Sequence, residues 1–155
     1  MSVPDRPSET EAERADRNFT ELLQELRVAQ TGVQILFAFL LTMPFQARFS
    51  GLDTFGRAAY GTAIPSSALA AVCLIAPVAY HRILFRQQEK DWVVRRASML
   101  ANVGVGFLAL AIVSALALVL DVVYSRTWSV IIAAAMAALL VTLWWGVPLA
   151  RRARE

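Results

Sequence analysis

MLANVGVGFLALAIVSALALVL, residues 99–120, places 22 consecutive positions without one charged side chain. Wound as an α-helix at about 1.5 Å per residue, such a segment is about 33 Å long, the thickness of a bilayer's hydrocarbon layer. Three more stretches share this character: Val28–Phe45, Gly61–Tyr80 and Trp128–Leu149. Together they take up more than half of the 155 residues, and 57% of the chain is hydrophobic against 17% charged. This balance lies far from that of soluble domains. The sequence therefore predicts an all-α, polytopic membrane protein with four transmembrane helices, and the connections are too short for a separate enzyme domain.

The formal charge of +3 would suggest a nucleic-acid partner in a soluble protein, but the basic residues are distributed as in a membrane protein. Twelve of the 15 fall in three segments: Arg6, Arg14, Arg17 and Arg27 before the first span, Arg82, Arg86, Lys90, Arg95 and Arg96 between the second and third, and Arg151, Arg152 and Arg154 after the fourth. The other two connections hold only Arg48, Arg57 and Arg126. The positive-inside rule puts the rich segments, and so both termini, in the cytoplasm of a cell-membrane protein. The same fringe fits anionic lipid headgroups, with Arg82 and Arg86 snorkelling towards them and Trp92 at the interface, and no nucleic acid is expected.

Along the chain, residues 1–17 read as a flexible arm, 18–150 as the four-span domain and 151–155 as a basic tail. The hydrophilic start has no apolar core of a cleavable signal, so the first span is expected to direct insertion. Asn18 suits a helix cap, and Pro44 marks the outer end of the helix that follows. Thr20, Gln24, Arg27, Thr31 and Gln34 then recur every three or four residues as one polar line. Against lipid such a line is costly, so it should meet another helix, another subunit or a hydrated cleft. Packing adhesive is the simpler role, and a permeation surface the sharper one.

Other polar positions have similarly double readings. Asp53 and Arg57, four apart, can pair if the outer connection forms a short helix carrying Phe49, Leu52 and Phe55 on one edge. Pro77 is expected to bend the second span, whereas Pro65 sits nearer its start. His81, the lone histidine, can titrate near neutral pH but lies beside no carboxylate. Asp121 closes the third span, where it either meets Arg126 or faces a hydrated outer cavity. Ala101, Gly104, Leu108, Ala111 and Ala115 form a largely small face for close helix approach, Ala133 with Ala137 or Ala134 with Ala138 offers another, and Asn102 suits a bridge between helices. Tyr124 and Trp128 fit an outer aromatic belt, with Trp144 and Trp145 at the inner end.

ELLQELRVAQTGVQILFAFLLTMPF at 21–45, AYHRILFR at 79–86 and the four-span layout resemble a small actinobacterial membrane-protein family of unknown function over residues 18–150. Some of its members carry an automatic sodium:proton antiporter label. That resemblance implies the four-span fold, and it transfers no catalytic residue to this chain.

No zinc signature, nucleotide-binding loop or nucleophile elbow occurs, and Cys73 is the single cysteine, so no enzyme activity, cofactor or metal is expected. The expected function is structural or accessory: assembly through helix packing, as a homo-oligomer or with a membrane-protein partner, and contact with lipid. The competing expectation is an oligomeric cation or proton translocator. Its pathway would draw on Gln30, Thr31 and Gln34, with Glu25 and His81 at the cytosolic mouth and Asp121 at the outer end. The topology has a direct check. In a Cys73→Ala background, Ser50→Cys is expected to react with an impermeant maleimide in intact cells, and Ser2→Cys and Ala153→Cys only after the inner face is opened.

Overall fold

The computed structural model describes residues 11–84 and 90–153. The first ten residues of the arm, Arg86 in the central connection, and Arg154 and Glu155 lie outside the described residues, as do the side chains of His81, Arg82, Trp92 and Arg95. Within this range the chain is all-helical. Helix α1 (Glu11–Thr42) is followed by two short 3-10 turns, Met43–Phe45 and Phe49–Gly51. Then come α2 (Thr54–Leu84), α3 (Lys90–Val123) and α4 (Arg126–Val141). A π-helical segment, Thr142–Gly146, leads into α5 (Val147–Arg152). Four segments are long and apolar enough to cross a membrane: Leu23–Phe45, Thr54–Tyr80, Arg96–Val123 and Arg126–Arg151.

Helix α1 begins at Glu11, ahead of the expected cap at Asn18, which lies within it. The run EAERAD is built almost wholly from good helix formers, and no proline or glycine interrupts it, so the helix propagates backwards from the span. Its C-terminal end is set by Pro44. There the orphan carbonyls of the last turn find side-chain donors: the Thr42 hydroxyl donates to Phe39 O at 2.8 Å and the Tyr60 hydroxyl to Leu40 O at 3.2 Å. The Tyr60 bond also joins α1 to α2, and the Phe49 ring packs edge-on against Tyr60 with centroids 4.9 Å apart. Phe49 and Phe55 thus belong to different elements, a 3-10 turn and the first turn of α2, and not to one interfacial helix.

Helices α2 and α3 form the central pair, because small residues let their backbones approach. Ala63, Ala70, Ala97, Ala101 and Ala111 are buried, and Leu74 is fully enclosed. A Cβ built on Gly104 would stand 2.9 Å from both Cγ and Cδ2 of Leu74, so only glycine fits there as packed. This is the small face expected on the third span. Leu26 and Val33 of α1 join Ala70, Leu74 and Ala101 in a single cluster.

The helices do not close into a ring. Helix α1 packs on α2 and α3, whereas α4 packs on α3 without meeting α1. Ser129 and Ala133 are the buried residues of α4, so of the two expected alanine faces it is Ala133 with Ala137 that turns inward; Ala134 and Ala138 are exposed. Asn102, expected to bridge helices, is exposed. The outward surface is strongly apolar, as at Val72, Phe39 and Ile131, a distribution unfavourable in water and suited to hydrocarbon.

Gly104→Ala is expected to lower stability in detergent by about 1–3 kcal/mol through overpacking against Leu74. Leu74→Ala alone should cost about 2–5 kcal/mol by leaving a cavity. The double variant should lose clearly less than the two losses added, as read by thermal unfolding, because the alanine at 104 then fills vacated space.

Candidate functional site

Polar side chains gather in three places. Beside the α1–α2 connection, two carboxylates, Asp121 and Asp53, converge on Arg126, the first residue of α4. Its Nε donates to Asp121 Oδ1 at 2.6 Å and its Nη2 to Asp121 Oδ2 at 3.1 Å, a fork-on-carboxylate geometry. Nη2 also donates to Asp53 Oδ2 at 2.5 Å. The guanidinium carbon lies 4.1 Å from the centroid of the Phe55 ring, a cation–π stack. The cluster ties the α1–α2 connection to both ends of the α3–α4 turn.

The expected Asp121–Arg126 contact is therefore formed, and the Asp53–Arg57 pair is not. Asp53 stands immediately before α2, where its Oδ1 accepts the Gly56 N–H at 2.9 Å as a helix N-cap. Arg57 instead donates through Nε to the Leu52 carbonyl at 3.0 Å. The Gly56 N–H and the Arg126 guanidinium both favour the ionised form of Asp53 and hold its carboxyl below its ordinary range. Beside the cluster lies an open cleft of about 530 Å³ lined by residues including Arg48, Ser50, Asp53 and Asp121. Among the described residues, no group of three or more His, Cys, Asp or Glu side chains is arranged to hold a metal ion.

The second place is the turn of α2 around Pro77. Pro77 has no N–H, so the turn preceding it lacks one backbone donor. Next to that gap, Gln30 of α1 donates its Nε2–H to the Leu74 carbonyl at 2.6 Å. Pro77 itself is fully buried. The amide thus binds α2 within one turn of the proline, at a joint where Gln30 is half-buried, whereas Thr31 beside it and Gln34 one turn on are exposed.

The third place is the exposed polar line of α1. Thr20, Gln24, Arg27, Thr31 and Gln34 all lie on the outside of the helix array, and Glu25 is exposed as well. The Thr31 hydroxyl donates to its own helix at Arg27 O, 3.1 Å away. The residues proposed as one pathway are consequently dispersed. Gln30 sits in the α1–α2 joint, Thr31 and Gln34 on the outer flank of α1, and Asp121 in the outer ion cluster. The His81 side chain lies outside the described residues.

Two connections escaped sequence reasoning. Ser129, fully buried, donates through Oγ to the Ala117 carbonyl at 2.6 Å and fastens α4 to α3. Its four-residue spacing from Ala133 and Ala137 was the available signal. Asp53 and Arg126 are 73 positions apart, and no local pattern links them.

Over residues 8–148 the chain matches a family described as a family of unknown function (DUF6328). No curated protein and no solved structure matches it.

Because folding lowers the Asp53 pKa, its contribution to stability is present above the unfolded-state value and is lost as pH falls through the depressed folded-state value. In a carboxylate titration followed by NMR, Arg126→Gln should move the Asp53 midpoint up only part of the way. The Gly56 N–H, the larger cause, remains in place. Gln30→Leu should destabilise the fold by roughly 0.6–1.7 kcal/mol, the range for one interhelical hydrogen bond in a membrane protein, as measured by unfolding in detergent.

Proposed function

The chain belongs to this family, and we propose that it acts as a small multi-pass cell-membrane protein of structural or accessory type, without catalytic activity or solute transport of its own. In this reading both termini are cytoplasmic, the helices assemble by packing, and the basic inner fringe engages anionic lipid headgroups or a membrane-protein partner. The observation that carries it is where the span carboxylates lie. Within the four spans these are Glu25 and Asp121, each two residues from a span end. Asp121 is engaged by two donors of one arginine.

Coupled cation–proton exchange needs an accessible carboxylate whose occupancies compete, and alternating access to it. Neither the Gln30 joint nor the helix turn around Pro77 supplies such a group. Three span hydroxyls are satisfied by their own helices and not offered to a solute: Thr62 donates to Ala58 O, Ser67 to Ile64 O and Thr142 to Ala138 O. Lipid contact draws support from the basic inner segments, since each such cation near an anionic surface contributes about 1 kcal/mol.

Purified protein in proteoliposomes decides between this reading and the sodium:proton antiporter-like alternative. Sodium, potassium and proton fluxes are expected to equal those of empty vesicles, with verified folding and orientation. Flux that depends on the protein and falls in Asp121→Asn or Gln34→Leu would establish transport instead. In vesicle flotation, binding of a peptide covering residues 82–96 should increase with anionic lipid and weaken with salt.

A further inference from the structure

We propose that the polar line of α1 is a self-association seam, occupied by the same line of a second copy packed parallel to it. The inference rests on the reading of the four helices as membrane spans. Gln34 stands at the midpoint of the span Leu23–Phe45 and is exposed. Among the described residues neither Gln24 nor Gln34 finds a hydrogen-bond partner within the chain. A carboxamide brings two N–H donors and an acceptor, and hydrocarbon satisfies none of them.

Helix α1 divides into three sectors at 100° per residue. Leu26, Val33 and Leu40 face the helix array and are buried. Val28, Ile35 and Phe39 form an exposed apolar sector fit for lipid. The polar line occupies the remaining flank and continues through Ala38 and Leu41, both exposed. From Thr20 to Leu41 the steps are 4, 3, 4, 3, 4 and 3 residues, the spacing that keeps one seam against a partner helix over about 32 Å. Among the described residues these side chains are exposed, and α4 does not reach α1 to cover this flank.

The chemistry of the seam selects a second copy. Copies inserted with one orientation bring Gln34 opposite Gln34, where two carboxamides can exchange a pair of N–H···O bonds. The Thr31 hydroxyl oxygen, which donates to its own helix, stays available to accept, and Ala38 permits close approach just beyond. Arg27 sits four residues inside the inner end of the span, where its long side chain reaches the aqueous boundary and takes its charge out of the seam.

Cysteine cross-linking in native membranes tests this, in a Cys73→Ala background. Under mild oxidation, Thr31→Cys, Gln34→Cys and Ala38→Cys are expected to yield a product of twice the 17.0 kDa chain mass, whereas Val28→Cys and Phe39→Cys are not. In vesicles, resonance energy transfer between differently labelled copies should show Gln34→Leu weakening self-association by about three- to twentyfold, with Gln34→Asn closer to the parent. Equal cross-linking at all five positions, none at the seam, seam adducts only to another protein, or seam cysteines open to water-soluble reagents would each overturn the proposal. Cross-linking reads proximity and not flux, so its failure leaves the non-transporting reading standing, while flux through a cross-linkable pair would remove that reading alone.

Discussion

Hydrocarbon offers no hydrogen bonds, and on the membrane-spanning reading the architecture of this chain answers to that constraint. Helices satisfy their own backbones, so the elements are helices throughout the described residues. Where a helix is interrupted, a side chain stands by. Next to the donor missing at Pro77, Gln30 binds the Leu74 carbonyl; where α1 ends, Thr42 and Tyr60 bind the last carbonyls; where α4 meets α3, Ser129 binds Ala117 O. These contacts are individually modest in a membrane. Their value is positional, because each fixes where one helix crosses another.

Between the helices, shape does what the hydrophobic effect does in water. Lipid tails are as apolar as leucine, so association depends on close van der Waals contact, which explains the alanines and Gly104 between α2 and α3. Helix α4 has less of this contact and is held mainly at Ser129, Ala133 and the Arg126 cluster. An apolar groove of about 290 Å³ remains between it and α3, bordered by Gly106, Ala137 and Trp145. At its Trp145 end the π-helical turn, closed by the Val147 N–H on the Thr142 carbonyl, ends two residues before Pro148 and widens the helix ahead of the proline ring.

The four spans were legible because an uncharged run of about 20 residues matches the hydrocarbon thickness and is rare in water-soluble domains. Pro44 as an outer boundary and the Asp121–Arg126 contact followed from local spacing. What stayed hidden depends on rotation and long-range pairing. Sequence periodicity groups Thr20, Gln24, Arg27, Thr31 and Gln34 on one line, but which way that line turns is set by the packing of Leu26, Val33 and Leu40. Gln30, one residue from Thr31 and 100° round the helix, faces Leu74 for the same reason. Asp53 chose Gly56 and Arg126 over Arg57, since capping an open helix end and joining the outer ion cluster outweigh an exposed pair at spacing four. The early start of α1 at Glu11 reflects local propensity, which the apolar pattern does not register.

The decisive quantity is the medium that surrounds the exposed apolar residues. Nitroxide labels at Phe39, Val72 and Ile131, in protein reconstituted into vesicles, report it by relaxation with oxygen, which concentrates in hydrocarbon, and with a water-soluble nickel chelate. High oxygen and low nickel collision at all three positions is the expected result. Nickel collision there as frequent as at Ser50 in the outer connection would place these helices in water and contradict the membrane-spanning fold.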